Sequence, residues 1–154
     1  MKNYDKVFEK CFNGWKCIHN TCSNVVGRIW FVWDPSCYEV SGIIVDKQYV
    51  FCKVVDIVSK AVFYMSVVYG DNYHVIIRQL WKSLEENKLE VAPWLTAGDM
   101  NIIRSELQSL GRGCPPQSAM NDFNQCIEVL DVIELASQGV NFRGVRIGRI
   151  RSVV

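Results

Sequence analysis

The sequence of 154 residues lacks the features that would place a protein in a membrane or outside the cell. No apolar run reaches the roughly 18 residues that suggest a membrane span. The N-terminus, MKNYDKVFEKCFNGW, mixes charged and apolar residues at helical spacing and has no signal-peptide pattern. We therefore predict an intracellular protein, of the nucleus or the cytoplasm, with no membrane partner.

An excess of charge of either sign is also absent. There are 17 Lys and Arg against 16 Asp and Glu, for a net charge of +1. The overall charge therefore neither supports nor excludes binding to nucleic acid. The hydrophobic fraction of 49% and the charged fraction of 21% are ordinary for a soluble globular protein, and the length fits one domain with a buried core.

The C-x-x-C spacing of zinc knuckles is missing, although the chain has seven cysteines. Cys17, His19 and Cys22 lie close together in sequence, and they would form a zinc site only with a fourth ligand and a tight turn. The odd number of cysteines and the absent export signal favour reduced thiols instead. Several of these thiols are expected to be small core residues.

Hydrophobic periodicity predicts short strands interspersed with helices, which is typical of a layered α/β domain. Helices are predicted over residues 4–12, 72–87 and 119–135, the last of them capped by Ser118. Strands are predicted within 27–36, 38–46, 49–58, 61–70 and 94–98. The second and third of these strands form a hairpin around residues 46–48.

The stretch EVAPWLTAGDMNIIRSE, residues 90–106, carries the candidate functional residues. An apolar strand ends there abruptly at Asp99 and Asn101. Two residues apart on an extended backbone, these side chains would project from one face. Gly, Asp and Asn are also common turn residues, so the pattern fits either a turn or the floor of an active site.

An ordered set of motifs resembles a known superfamily. VYG-x-N (68–72) is followed by LW-x-x-L (80–84) and then by PWL-x-x-GD-x-N (93–101). Together with FNGW, GRIWFVWDP and the segment MNDFNQCIEVLDVIEL, this order resembles the endonuclease/exonuclease/phosphatase (DNase I-like) superfamily, in particular the endonuclease domain of plant LINE-type (non-LTR) retrotransposons. The likeness extends to residue 142. We therefore predict a truncated domain over residues 1–142 and a disordered basic tail over 143–154.

The resemblance implies a fold and a chemistry. The fold would be part of a four-layer α/β/β/α sandwich of the α+β type, and the ancestral activity would be Mg²⁺-dependent hydrolysis of DNA phosphodiesters. By the same resemblance, Asp99 orients and deprotonates the attacking water. Asn101 hydrogen-bonds a phosphoryl oxygen, and Tyr69 donates to another. These roles supply what phosphodiester hydrolysis requires of a protein.

The sequence departs from the family pattern on either side of these motifs. The family's metal-binding Glu and its companion Asn lie on strands that precede the matched part. Its C-terminal Ser-Asp-His signature has no counterpart, because neither His19 nor His74 follows an Asp. We therefore expect impaired catalysis, and we expect the Mg²⁺ of the family to bind this chain poorly.

Two interpretations follow from this departure. The chain is either an impaired endonuclease in which Asp99, Asn101 and Tyr69 survive, or a non-catalytic retrotransposon relic that at most binds nucleic acid or a protein. Tyr69 also fits a half-buried strand aromatic. Four arginines of the tail fit phosphate contacts or an unstructured segment: Arg143, Arg146, Arg149 and Arg151.

Overall fold

A computed structural model describes residues 4–21, 27–109, 113–133 and 146–147. The helices are α1 (Tyr4–Cys11), α2 (His74–Glu86) and α3 (Gln117–Leu130), with one 3-10 turn at Glu106–Gln108. The strands are β1 (Lys16–His19), β2 (Trp30–Trp33), β3 (Tyr38–Val45), β4 (Tyr49–Asp56), β5 (Val62–Tyr69), β6 (Trp94–Asp99) and β7 (Arg146–Ile147). This mixture confirms the predicted α+β class.

The described strands form a five-stranded sheet in the order β3-β4-β5-β6-β7 and a separate antiparallel pair, β1-β2. Strands β3, β4 and β5 are antiparallel neighbours, and the β3-β4 pair is the predicted hairpin. Strands β5 and β6 are parallel, and α2 is the crossover that such a connection requires.

Strand β7 falls within the predicted tail and pairs with Ala97 and Gly98. The boundary at residue 142 lies outside the described residues, so the division of the chain stays a prediction.

One face of the sheet is covered by helices. As its spacing predicts, α2 buries the side chains of Ile77, Leu80, Trp81 and Leu84. Trp81 packs on Phe123 of α3, with 4.9 Å between ring centroids. The same core cluster includes Tyr49, Phe51 and Trp94 from the sheet. Hydrophobic burial against this face fixes both helices.

The other face of the sheet packs on the β1-β2 pair. Val50, Cys52 and Val54 of β4 form a second core cluster with Ile29, and residues of both β1 and β2 pack against it. Helices α2 and α3, the large sheet and the small sheet therefore form three successive layers. Strand β4 is buried on both faces because it lies between the two outer layers.

Two cysteines confirm the expectation of small core thiols. Cys52 and Cys126 are almost completely buried. Burial raises the pKa of Cys52 to about 11. Burial, with a smaller contribution from Glu85, raises the pKa of Cys126 to about 12. Both therefore stay protonated near neutral pH and act as small hydrophobic side chains.

Several local predictions need correction. Ser118 does not cap α3, because Pro116 occupies the N-cap position with φ −53° and Ser118 lies inside the first turn. The helix ends at Leu130 because Asp131 adopts a left-handed conformation; residues 134 and 135 lie outside the described residues. Strand β1 was not predicted, since four residues with only one β-branched side chain give little periodic signal.

Candidate functional site

The candidate site lies at the carboxyl ends of β5 and β6. Tyr69 and Asp99 end these parallel strands and are direct register partners. Tyr69 follows Met65 and Val67 on the face that packs toward β1-β2. Because paired residues of neighbouring strands point to the same face, Asp99 lies beside Tyr69 on that face. The structure thus brings together two of the three predicted site residues.

Gly98 allows Asp99 to lie beside Tyr69 at the end of the sheet. Its backbone has φ +135°, and a Cβ added to it would lie 1.9 Å from the Val68 carbonyl oxygen. Gly70, at the end of β5, is similarly enclosed, since an added Cβ would lie 2.7 Å from the Met100 carbonyl oxygen. The two strand ends therefore approach more closely than side chains would permit.

Asn101 joins the site through a turn. Strand β6 ends at Asp99, and Asn101 has φ +50°. Its backbone N–H donates to Asp99 Oδ1 at 2.9 Å, and its Nδ2 donates to the Gly70 carbonyl at 2.6 Å. The expectation of two side chains on one face of an extended strand is therefore wrong. An Asx turn brings the residues together, and asparagine tolerates the left-handed backbone that the turn needs.

Polar groups at the site keep unused hydrogen-bonding capacity. Asp99 uses Oδ1 in the turn, and Asn101 uses one of the two N–H groups of its amide. Within the described part of the chain, Asp99 Oδ2 and the Tyr69 hydroxyl have no hydrogen-bond partner. At least one acceptor and two donors therefore remain at one sheet edge, a set that suits a phosphate with its attacking water.

A buried amide that the sequence did not reveal fixes the Tyr69 end of the site. Gln48 is 7% exposed, and its Oε1 accepts from the Asp71 N–H at 2.8 Å. Its Nε2 donates to the Ile76 carbonyl at 3.2 Å, while its backbone carbonyl accepts from Tyr69 N–H. These partners are more than twenty residues away in sequence, so a turn residue was all that the local pattern indicated.

Metal ligands are sparse in the described chain. Over residues 4–21, 27–109 and 113–133, no group of three or more His, Cys, Asp or Glu side chains could hold a metal ion. Cys17 and His19 lie two residues apart on β1, and Cys22 lies outside the described residues. Magnesium sites in proteins use one or two carboxylates with water and substrate phosphates. Asp99 gives the site one carboxylate, so a magnesium ion here would be held by Asp99 together with water and substrate phosphate.

Comparisons with known proteins identify the fold. The endonuclease domain of TRAS1, a telomere-specific non-LTR retrotransposon, matches with a TM-score of 0.68 and 10% identity, over 90% of this chain and 68% of that one. The human Nocturnin catalytic domain with bound sulfate anion matches with a TM-score of 0.60 and 11% identity, over 98% of this chain and 67% of that one. Both have the DNase I-like fold, and this chain shares it, as predicted.

Sequence comparisons find no relative. No family model matches the chain, and no curated protein matches it. Among the described helices, none is long and apolar enough to cross a membrane.

Proposed function

We propose that the chain is a phosphodiester-binding domain derived from the Mg²⁺-dependent endonuclease of a plant LINE-type retrotransposon, with DNA as its ligand and with impaired hydrolysis. The observation that carries the proposal is the Tyr69–Asp99 pair at the ends of two parallel strands, with Asn101 folded back beside it. This cluster occurs on the fold of a retrotransposon endonuclease domain.

Each residue has a role that its unused groups permit. The Tyr69 hydroxyl and the second N–H of Asn101 donate to phosphoryl oxygens. Asp99 Oδ2 accepts a hydrogen bond from water and orients it toward phosphorus. Because the Asp99 carboxylate also repels a phosphate, binding at this edge needs compensating positive charge.

The donor set supports impaired hydrolysis. Within the described residues, the cluster has one carboxylate and no assembled metal ligand set. A site at which no metal ion acts on the phosphate forgoes several kcal/mol of transition-state stabilisation, and each ~1.4 kcal/mol is a factor of ten in rate. We therefore expect the 154-residue chain to bind DNA without cutting it efficiently.

A second candidate function is protein binding by a non-catalytic relic. The observation that favours it is an open apolar groove of about 450 Å³ between the β1-β2 pair and the large sheet. Trp15, Phe31, Trp33, Tyr38 and Phe63 are among its lining residues. An aromatic-lined groove of this size can accept an apolar side chain of a partner protein.

Nicking of supercoiled plasmid in magnesium, with DNA binding measured in parallel, tests the proposal. We expect the wild-type chain to retard DNA and to nick no faster than Asp99→Ala. Asn101→Gly keeps the left-handed backbone and removes only the amide, so it is expected to weaken binding without unfolding the turn. The matched control is Glu128→Ala, an exposed carboxylate on α3, which covers the opposite face of the sheet.

Two results would contradict the proposal. Nicking that disappears in Asp99→Ala but persists in Glu128→Ala would identify a working nuclease. Folded wild-type protein that neither nicks nor retards DNA would exclude nucleic acid as the ligand and would favour the protein-binding relic.

A further inference from the structure

A positive charge lies over the tyrosine of the candidate site. The Arg28 guanidinium carbon is 5.1 Å from the centroid of the Tyr69 ring, within the distance at which a cation and an aromatic face attract each other. The Arg28 side chain is exposed, whereas Tyr69 is half-buried at the end of β5. The ring therefore holds the guanidinium next to the edge where Tyr69 and Asp99 are paired.

The backbone that carries Arg28 is fixed by a buried amide. Asn20 is 5% exposed, and its Oδ1 accepts hydrogen bonds from the N–H groups of Arg28 at 3.0 Å and Ile29 at 3.1 Å. Its Nδ2 donates to the carbonyls of Asp46 at 3.2 Å and Lys47 at 2.8 Å. Two of these four bonds hold the backbone of residues 28 and 29, so the segment that carries Arg28 is fixed before any ligand arrives.

The contact with the Tyr69 ring occupies no oxygen acceptor, so the guanidinium N–H groups stay available to a ligand. Its N–H groups lie in the guanidinium plane and point outward, and this fork matches the oxygens of a phosphate. Two other arginines of the described chain are committed elsewhere: Arg78 bonds Asp122 and Arg104 bonds Asn124. Arg28 is also the charge that can offset the repulsion between Asp99 and a phosphate at this edge.

We propose that Arg28 binds a backbone phosphate of nucleic acid beside Tyr69 and is a substrate-binding residue of this site. The inference rests on the proposed function in so far as the Tyr69–Asp99 edge receives a phosphodiester. The Tyr69 ring attracts the cation, and Asn20 fixes the segment before β2 that carries Arg28. Binding at Arg28 requires no metal ion.

Fluorescence anisotropy of a labelled DNA duplex in EDTA, over a series of salt concentrations, tests this inference. Arg28→Ala is expected to weaken binding about tenfold, the loss of one charge-assisted contact. It should also reduce the slope of log affinity against log salt by about 0.9, the value for one phosphate contact. Arg28→Lys should keep the slope but recover only part of the affinity, because an ammonium group has no planar fork.

Arg78→Ala is the matched control, since Arg78 is an exposed arginine on α2, on the opposite face of the sheet. It is expected to change affinity less than twofold, consistent with a cation outside the contact surface. Circular dichroism should show each variant folded. The inference is overturned if Arg28→Ala keeps the wild-type affinity and slope, if Arg78→Ala loses as much, or if the wild type binds no DNA.

Two further variants separate this inference from the proposed function. Tyr69→Phe keeps the aromatic face under Arg28 and removes the hydroxyl, and Asp99→Asn removes the negative charge. If neither variant changes DNA binding while Arg28→Ala weakens it, Arg28 binds phosphate but the Tyr69–Asp99 edge does not. If both variants change binding and Arg28→Ala does not, the proposed site stands and the role of Arg28 fails.

Discussion

Replacing Gly98 with alanine is expected to destabilise the protein by about 3 kcal/mol or more, as strained backbone and steric overlap act together. The new Cβ would lie 1.9 Å from the Val68 carbonyl oxygen, which is backbone of the neighbouring strand and cannot move without separating β5 from β6. The φ of +135° is unfavourable for alanine in any case. Because Asp99 is the next residue, the site would be displaced even in molecules that fold.

Chemical denaturation of Gly98→Ala and Gly113→Ala measures this effect. Gly113 is the matched control, since an added Cβ there meets nothing within 4 Å. The control should change the free energy of unfolding by less than about 0.5 kcal/mol. Equal midpoints for the two variants would show that β5 and β6 do not approach as described.

Asn20→Ala is expected to lower the free energy of unfolding by about 3 kcal/mol, because each buried polar group left unpaired costs ~1–3 kcal/mol. The amide bonds the N–H groups of Arg28 and Ile29 and the carbonyls of Asp46 and Lys47. Ile29 is 3% exposed, so water cannot readily replace its lost bond. The variant should also free Arg28 from its position over Tyr69 and weaken DNA binding.

Asn121→Ala is the appropriate comparison, because Asn121 is an exposed amide on α3 that accepts one hydrogen bond from Gln117. Its substitution should change stability by at most about 0.5 kcal/mol. If Asn20→Ala unfolds at the same denaturant concentration as Asn121→Ala, the four hydrogen bonds do not hold these segments together.

Periodicity predicted the elements that bury a regular face. Ile77, Leu80, Trp81 and Leu84 recur at helical spacing, and the structure buries all four. The β3-β4 hairpin was equally predictable, since two apolar runs flank a short polar segment. These features depend on residues close together in sequence, which is where pattern alone is informative.

Long-range contacts determine the parts that could not be predicted. Gly98 looked like a turn residue, yet its role comes from the Val68 carbonyl on a neighbouring strand. The side chain of Asn20 bonds backbone carbonyls 26 and 27 residues away, in addition to the N–H groups of residues 28 and 29. The side chain of Gln48 bonds backbone groups 23 and 28 residues away. The Asx turn of Asp99 and Asn101 is the local exception, since a turn was one of the two interpretations that these residues allowed. Tertiary hydrogen bonds leave no periodic trace in the sequence.

We expect the edge formed by Tyr69, Asp99 and Asn101 to contact a phosphodiester. The most direct test is a titration of isotope-labelled protein with a short DNA duplex, following the chemical shift of each backbone amide. We predict that the largest changes occur at Arg28, at Gly70 and Asp71, and at residues 99–101. Changes confined to α2 and α3, or none at saturating DNA, would contradict the claim.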